Sequence, residues 1–172
     1  MERALAINRP ITYREILMPQ HPEELDDALY EKIVALIELG NEQVEVKQDL
    51  AAAIGFYDQA LKMLPKPIER WDAAVWLLVA LGDCYFLKGE YPQALEYLKR
   101  AIQCPGAVGT GFIHLRLGQT FFELSLKNKA ADELTRAYMA APELFESQDP
   151  KYFAFLKTRI RGLPGGFVRR PR

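Results

Sequence analysis

The stretch LGDCYFLKGEYPQALEYLKRAI, residues 81–102, decides the fold. Leu81 and Gly82 are followed by Tyr85, then by Ala94, Leu98 and Ala101. Residues three and four apart share one face of a helix, so this spacing predicts two amphipathic helices. Lys88-Gly89-Glu90 reads as the turn between them, with glycine relieving a left-handed backbone. Gly82 and Ala94 are small where two helices of a hairpin approach closely, because a larger side chain would push the axes apart.

The same wording returns at identical offsets. Leu117, Gly118, Phe121, Ala130, Leu134 and Ala137 repeat the frame 36 residues on, and Pro142 follows. A third copy lies upstream at Val44, Ala53, Tyr57, Ala60 and Pro65. Its Leu39-Gly40 pair falls one position early, so Asn41 takes the glycine slot. Proline after each second helix stops it, since it cannot donate the next hydrogen bond.

These residues resemble the tetratricopeptide repeat, a helix-turn-helix unit of about 34 residues with this pattern. The resemblance covers roughly residues 30–144. It implies an all-α fold, a right-handed α-solenoid of three helical hairpins plus a C-terminal capping helix. Helices are expected at about 23–46, 49–64, 68–88, 91–103, 110–125, 128–141 and 150–161. The longer spacing between copies falls in 104–109 and in 65–70, the latter read either as a loop between repeats or as a longer front of the third helix. Asp149-Pro150 reads as a capped helix start. Residues 1–22 are then an N-terminal extension, 23–161 the repeat domain with its capping helix, and 162–172 a flexible basic tail.

Composition excludes several classes. The 172 residues are 49% hydrophobic and 26% charged, ordinary for a globular chain, and the net charge of −1 gives no overall attraction for nucleic acid or membrane. Cys84 and Cys104 lack zinc-ligand spacing and form no disulfide framework. With no leader-like or membrane-spanning apolar run, a cytoplasmic location is expected.

No catalytic constellation is found, and neither metal nor cofactor is expected. His21 and His114 are far apart in sequence, and His114 falls at a helix-packing position. The glycines of 105–111 follow a helix and lack a closing Lys-Ser/Thr pair, so they read as a loop between repeats. Asp26-Asp27 and Glu23-Glu24 sit at a helix start, where the dipole favours acid. The tail arginines read as solvated.

The resemblance further implies a concave surface lined by the first helix of each hairpin. The inward positions are Ala35, Glu38, Glu42 and Glu45; Trp76, Val79, Ala80, Asp83 and Phe86; Phe112, Leu115, Arg116, Gln119 and Phe122. Aromatics beside carboxylates suit an apolar, basic protein segment. The alternative is that Trp76, Phe86 and Phe112 pack between repeats. The candidate partner-binding residues are Glu38, Glu42, Trp76, Val79, Asp83, Phe86, Phe112, Arg116, Gln119 and Phe122. The carboxylate clamp of chaperone-tail receptors in this family would require Lys at 38, Asn at 42 and 80, Lys at 112 and Arg at 116. Only Arg116 fits, and Glu38 and Glu42 would repel a peptide carboxylate.

The expected function is a non-enzymatic module that binds one protein partner. The chain is similar to small bacterial tetratricopeptide proteins, some of which are immunity proteins that neutralise a toxin. A secretion chaperone or an adaptor subunit is the alternative, and self-association through the basic tail is a third possibility.

Overall fold

Gly82 lies against Leu98, and a Cβ on it would fall 2.7 Å from Leu98 Cγ. Gly118 stands in the same relation to Leu134, at 2.6 Å. These two contacts hold the second and third hairpins closed. The computed structural model describes residues 25–105, 107, 110–160 and 163. The expected N-terminal extension, and the basic tail apart from Leu163, lie outside them.

Seven α-helices run through the described residues: α1 (Asp27–Glu42), α2 (Leu50–Met63), α3 (Asp72–Leu87), α4 (Tyr91–Ala101), α5 (Gly111–Glu123), α6 (Lys127–Ala140) and α7 (Pro150–Arg159). They pair in sequence as α1 with α2, α3 with α4 and α5 with α6, while α2 on α3 and α4 on α5 join the pairs. The outer helices bury one narrow stripe, Ala94, Leu98 and Ala101 on α4 and Ala130, Leu134 and Ala137 on α6. In contrast, α3 is buried continuously from Trp76 to Cys84 and α5 from Gly111 to Phe121. A helix apolar on most sides belongs in the interior. Here α3 and α5 each touch their own partner and a neighbouring hairpin.

The first hairpin solves the close approach differently. Tyr57 stands where Leu98 and Leu134 stand in the other two. Its ring lies against Gly40, where a Cβ would clash with it, and its hydroxyl donates to Asn41 Oδ1 at 2.8 Å. The early glycine therefore makes room for a longer side chain, and Asn41 satisfies the hydroxyl that side chain brings.

Each hairpin turns through a left-handed residue: Gln48 at φ 54°, Gly89 at φ 78° and Ser125 at φ 61°. Before Gln48, α1 widens into a π-helical turn over Gln43–Lys47. The helix expected at 68–88 starts later than its loop suggested. Ile68–Arg70 form a 3-10 turn, Trp71 Nε1 donates to the Pro65 carbonyl at 2.7 Å, and α3 begins at Asp72. Carboxylates cap three helix starts, with Asp26 accepting from the Leu29 N–H, Asp49 from Ala52 and Asp149 from Lys151.

The last helix closes the stack. Tyr152, Phe153 and Leu156 of α7, with Phe145 before it, pack on Leu115, Leu134 and Ala137. A solenoid end left open would expose the apolar surface meant for the next repeat.

Two glycine substitutions separate packing from helix propensity. In Gly118→Ala the new methyl meets Leu134 Cγ at 2.6 Å and its backbone nitrogen at 2.9 Å. Overpacking should destabilise by about 1–3 kcal/mol. Gly55, within α2, has nothing within 4 Å of its missing Cβ. Gly55→Ala should stabilise by about 0.5–1 kcal/mol. Thermal unfolding of both variants checks the opposite signs.

Candidate functional site

The expected inner face divides into an open part and a filled part. On α1, Ala35, Glu38 and Glu42 are exposed, as is Glu45 in the π-helical turn. On α3, Trp76, Val79, Ala80 and Asp83 are buried, and Phe86 is half-buried. On α5, Phe112, Leu115, Arg116 and Gln119 are buried, and Phe122 is half-buried. Asp83, Phe86, Phe112, Arg116 and Gln119 come together in the filled part, whereas Glu38 and Glu42 remain on the open stretch.

A chain of polar side chains runs through the filled part. Arg116 pairs with Asp83 across the two inner helices. Its Nη1 donates to Gln119 Oε1 at 2.8 Å, and Gln119 Nε2 donates to Gln148 Oε1 at 2.9 Å. The guanidinium lies 4.4 Å from the Phe86 ring centroid and 5.3 Å from that of Phe112. Burial pushes the Asp83 carboxyl above its usual range, and the attraction and hydrogen bond of Arg116 oppose that push. The arrangement lets two charges sit in an interior that would otherwise exclude them. Opposite charges at two inward positions were a readable signal for this pair. Gln148 lies in the connection to α7, where no periodic pattern pointed to it.

Phe122 is covered by the chain itself. Lys127 Nζ sits 3.2 Å from its ring centroid and donates to its carbonyl at 3.1 Å. Tyr152 and Phe155 of α7 meet the ring edge-on at 5.4 and 5.1 Å. Tyr152 also donates to Glu123 at 2.7 Å, and Lys151 pairs with the same carboxylate at 3.0 Å. Trp76 packs edge-on to Tyr57 at 5.4 Å, and its buried indole N–H has no hydrogen-bond partner among the described residues.

The reactive residue types are held in packing roles. Burial pushes the Cys84 thiol up to about 12, which suppresses the nucleophilic thiolate. His114, at the helix interface where its spacing placed it, has Nδ1 2.6 Å from Glu133 Oε2. Among the described residues no group of three His, Cys, Asp or Glu side chains could hold a metal, and no helix is long and apolar enough to cross a membrane.

The Asp83–Arg116 pair makes a measurable prediction. Arg116→Met strands a buried carboxylate and should destabilise by about 3–5 kcal/mol. The double variant Asp83→Leu with Arg116→Met removes both charges and should cost distinctly less. Urea unfolding of the single and double variants checks the order.

Comparison with known proteins follows the same lines. The family model described as tetratricopeptide repeat matches residues 44–104. No match was found among curated proteins. Solved structures resemble the fold closely. The C-terminal TPR-containing domain of a Plasmodium falciparum FK506-binding protein superposes with a TM-score of 0.63 at 16% identity, over 79% of this chain and 91% of that one. The Arabidopsis OM64 TPR domain gives 0.60 at 18%, over 78% and 99%. The first TPR of Spaghetti (RPAP3), solved bound to the HSP90 peptide SRMEEVD, gives 0.58 at 17%, over 74% and 92%. At such identities the likeness speaks to the fold, while the repeat wording speaks to the family. Together with the matched glycine and leucine contacts of the last two hairpins, they show a fold of the tetratricopeptide-repeat type, with the repeat itself matched over residues 44–104.

Proposed function

We propose that the chain is a non-catalytic binding module that holds one protein partner along the open, acidic part of its inner face. The observation that carries this reading is the exposed run of Ala35, Glu38 and Glu42 on α1 with Glu45 just beyond it. Leu39, 42% exposed, adds apolar surface beside them. Small and apolar groups among carboxylates suit an apolar segment bearing Lys or Arg. Phe86, half-buried on the same inner face, extends that surface along the stack, whereas Phe122 is covered by Lys127 and α7. Trp76, Val79, Asp83, Phe112, Arg116 and Gln119 then act from beneath, by fixing the shape that the partner meets.

Catalysis has no place in this reading, because Asp83 and Arg116 neutralise each other and the Cys84 thiol is suppressed. We assign the chain to the cytoplasm, where two buried free cysteines suit a reducing environment. Its role in this reading is stoichiometric neutralisation of a toxic protein, a task that requires a rigid surface and no turnover. A chaperone or adaptor role would use the same face for an extended client instead.

The chain should not receive an acidic chaperone tail, although a structural relative was solved with one. Glu38 and Glu42 are exposed where a clamp requires Lys and Asn, and Arg116 is already paired with Asp83. Titration with a peptide ending in EEVD should give no binding at ionic strength near physiological.

Co-expression with the product of the neighbouring gene tests the partner reading. A one-to-one complex is expected to co-purify and to protect cells from that product. Glu38→Lys with Glu42→Lys should weaken the complex at least about tenfold, or about 1.4 kcal/mol. Undiminished binding and protection in that variant would remove the α1 face from the interaction.

A further inference from the structure

We propose that the chain self-associates head to tail, with the basic C-terminal end of one copy docking on the free acidic face of α1 in the next. The near-neutral total conceals a sorting of charge along the sequence. Residues 23–49 hold nine acidic and two basic side chains, whereas residues 150–172 hold seven basic and none acidic. These segments contain the first and last helices of the stack, α1 and α7. On the helices themselves, α1 carries Asp27, Glu31, Glu38 and Glu42 against Lys32, and α7 carries Lys151, Lys157 and Arg159 with no acid, so opposite charge sits at the two ends of the described stack and the field at one end attracts the other end of a second copy.

The two surfaces also match in form. On α1, Ala28, Ala35 and Leu39 are exposed, and Val46 beyond it is 73% exposed. Glu31, Glu38, Glu42 and Glu45 flank this stripe. Only Glu42 among the four is held in an ion pair within the described residues, by Lys47 at 3.1 Å. On α7 the exposed residues include Lys151, Ala154, Lys157 and Arg159. Arg159 has no carboxylate partner among the described residues and lies 5.2 Å from the Phe155 ring centroid. Alanine on both sides permits the close axial approach of packed helices, and the long basic side chains reach the flanking glutamates. Because the two surfaces differ, each dimer keeps one free head and one free tail, and association continues with concentration.

The inference uses the α1 face assigned above to a partner but is read from the purified chain by itself, so either can fail without the other. The test is analytical ultracentrifugation of the full chain at about 20 mM and about 500 mM salt, conditions that change the screening length severalfold. The average mass should rise with concentration at low salt and return to the monomer at high salt. A head variant, Glu38→Gln with Glu42→Gln and Glu45→Gln, should remain monomeric. A tail variant, Lys157→Gln and Arg159→Gln with Arg169→Gln, Arg170→Gln and Arg172→Gln, should do the same. Mixed in equal amounts, the two variants retain one intact head and one intact tail. The mixture should form dimers and stop there, which also shows that both variants are folded. A monomer under all conditions overturns the proposal. So does association that survives high salt or either set of substitutions, and so does a mixture that stays monomeric or grows past the dimer.

Discussion

The structure depends on how closely two helices of a hairpin can approach. At Gly82 and Gly118 the missing Cβ is replaced by a leucine from the facing helix. That contact sets the separation of the pair, and the separation sets which surfaces remain for the next pair. Stacking then follows from the apolar character of α3 and α5, which are buried nearly all round. Dispersion contacts at such sites are individually weak and add up only when the surfaces mesh without gaps.

Burial of α3 and α5 also decides what the inner face can offer. A helix packed between its own partner and the neighbouring hairpin has little surface left for a ligand. Asp83 and Arg116 share that fate, and their charges cancel inside the protein. By contrast, α1 begins the described stack and keeps an exposed face of Ala35, Glu38, Leu39 and Glu42. The usable surface therefore lies towards the acidic end.

Much of this was legible in the sequence. Identical offsets gave the hairpins and their turns, and Asp149-Pro150 gave the capping helix, to within a few residues at most ends. Helix starts were clear where a carboxylate caps them, as at Asp49 and Asp149. The start of α3 was less clear, because Trp71 and the 3-10 turn before it are fixed by a hydrogen bond to Pro65 rather than by periodicity. At the site, the frame named the inward positions, but a frame has no information on depth. Whether Phe112 or Arg116 faces solvent depends on neighbours distant in sequence, such as Gln148 through Gln119 and Tyr152 beside Phe122. The connection that supplies Gln148 carries no repeat to read.

The Gly40–Tyr57–Asn41 arrangement has a consequence for how such a chain can change over generations. The first hairpin and its two successors use different keys for the same lock, one aromatic with a shifted glycine and the others leucine with an unshifted one. A crossover that joined the front helix of one unit to the rear helix of another would set a phenol against a glycine in the wrong register, or leave a void where the ring had been. Gain or loss of whole units remains open to this architecture, while splicing within a unit is penalised by shape.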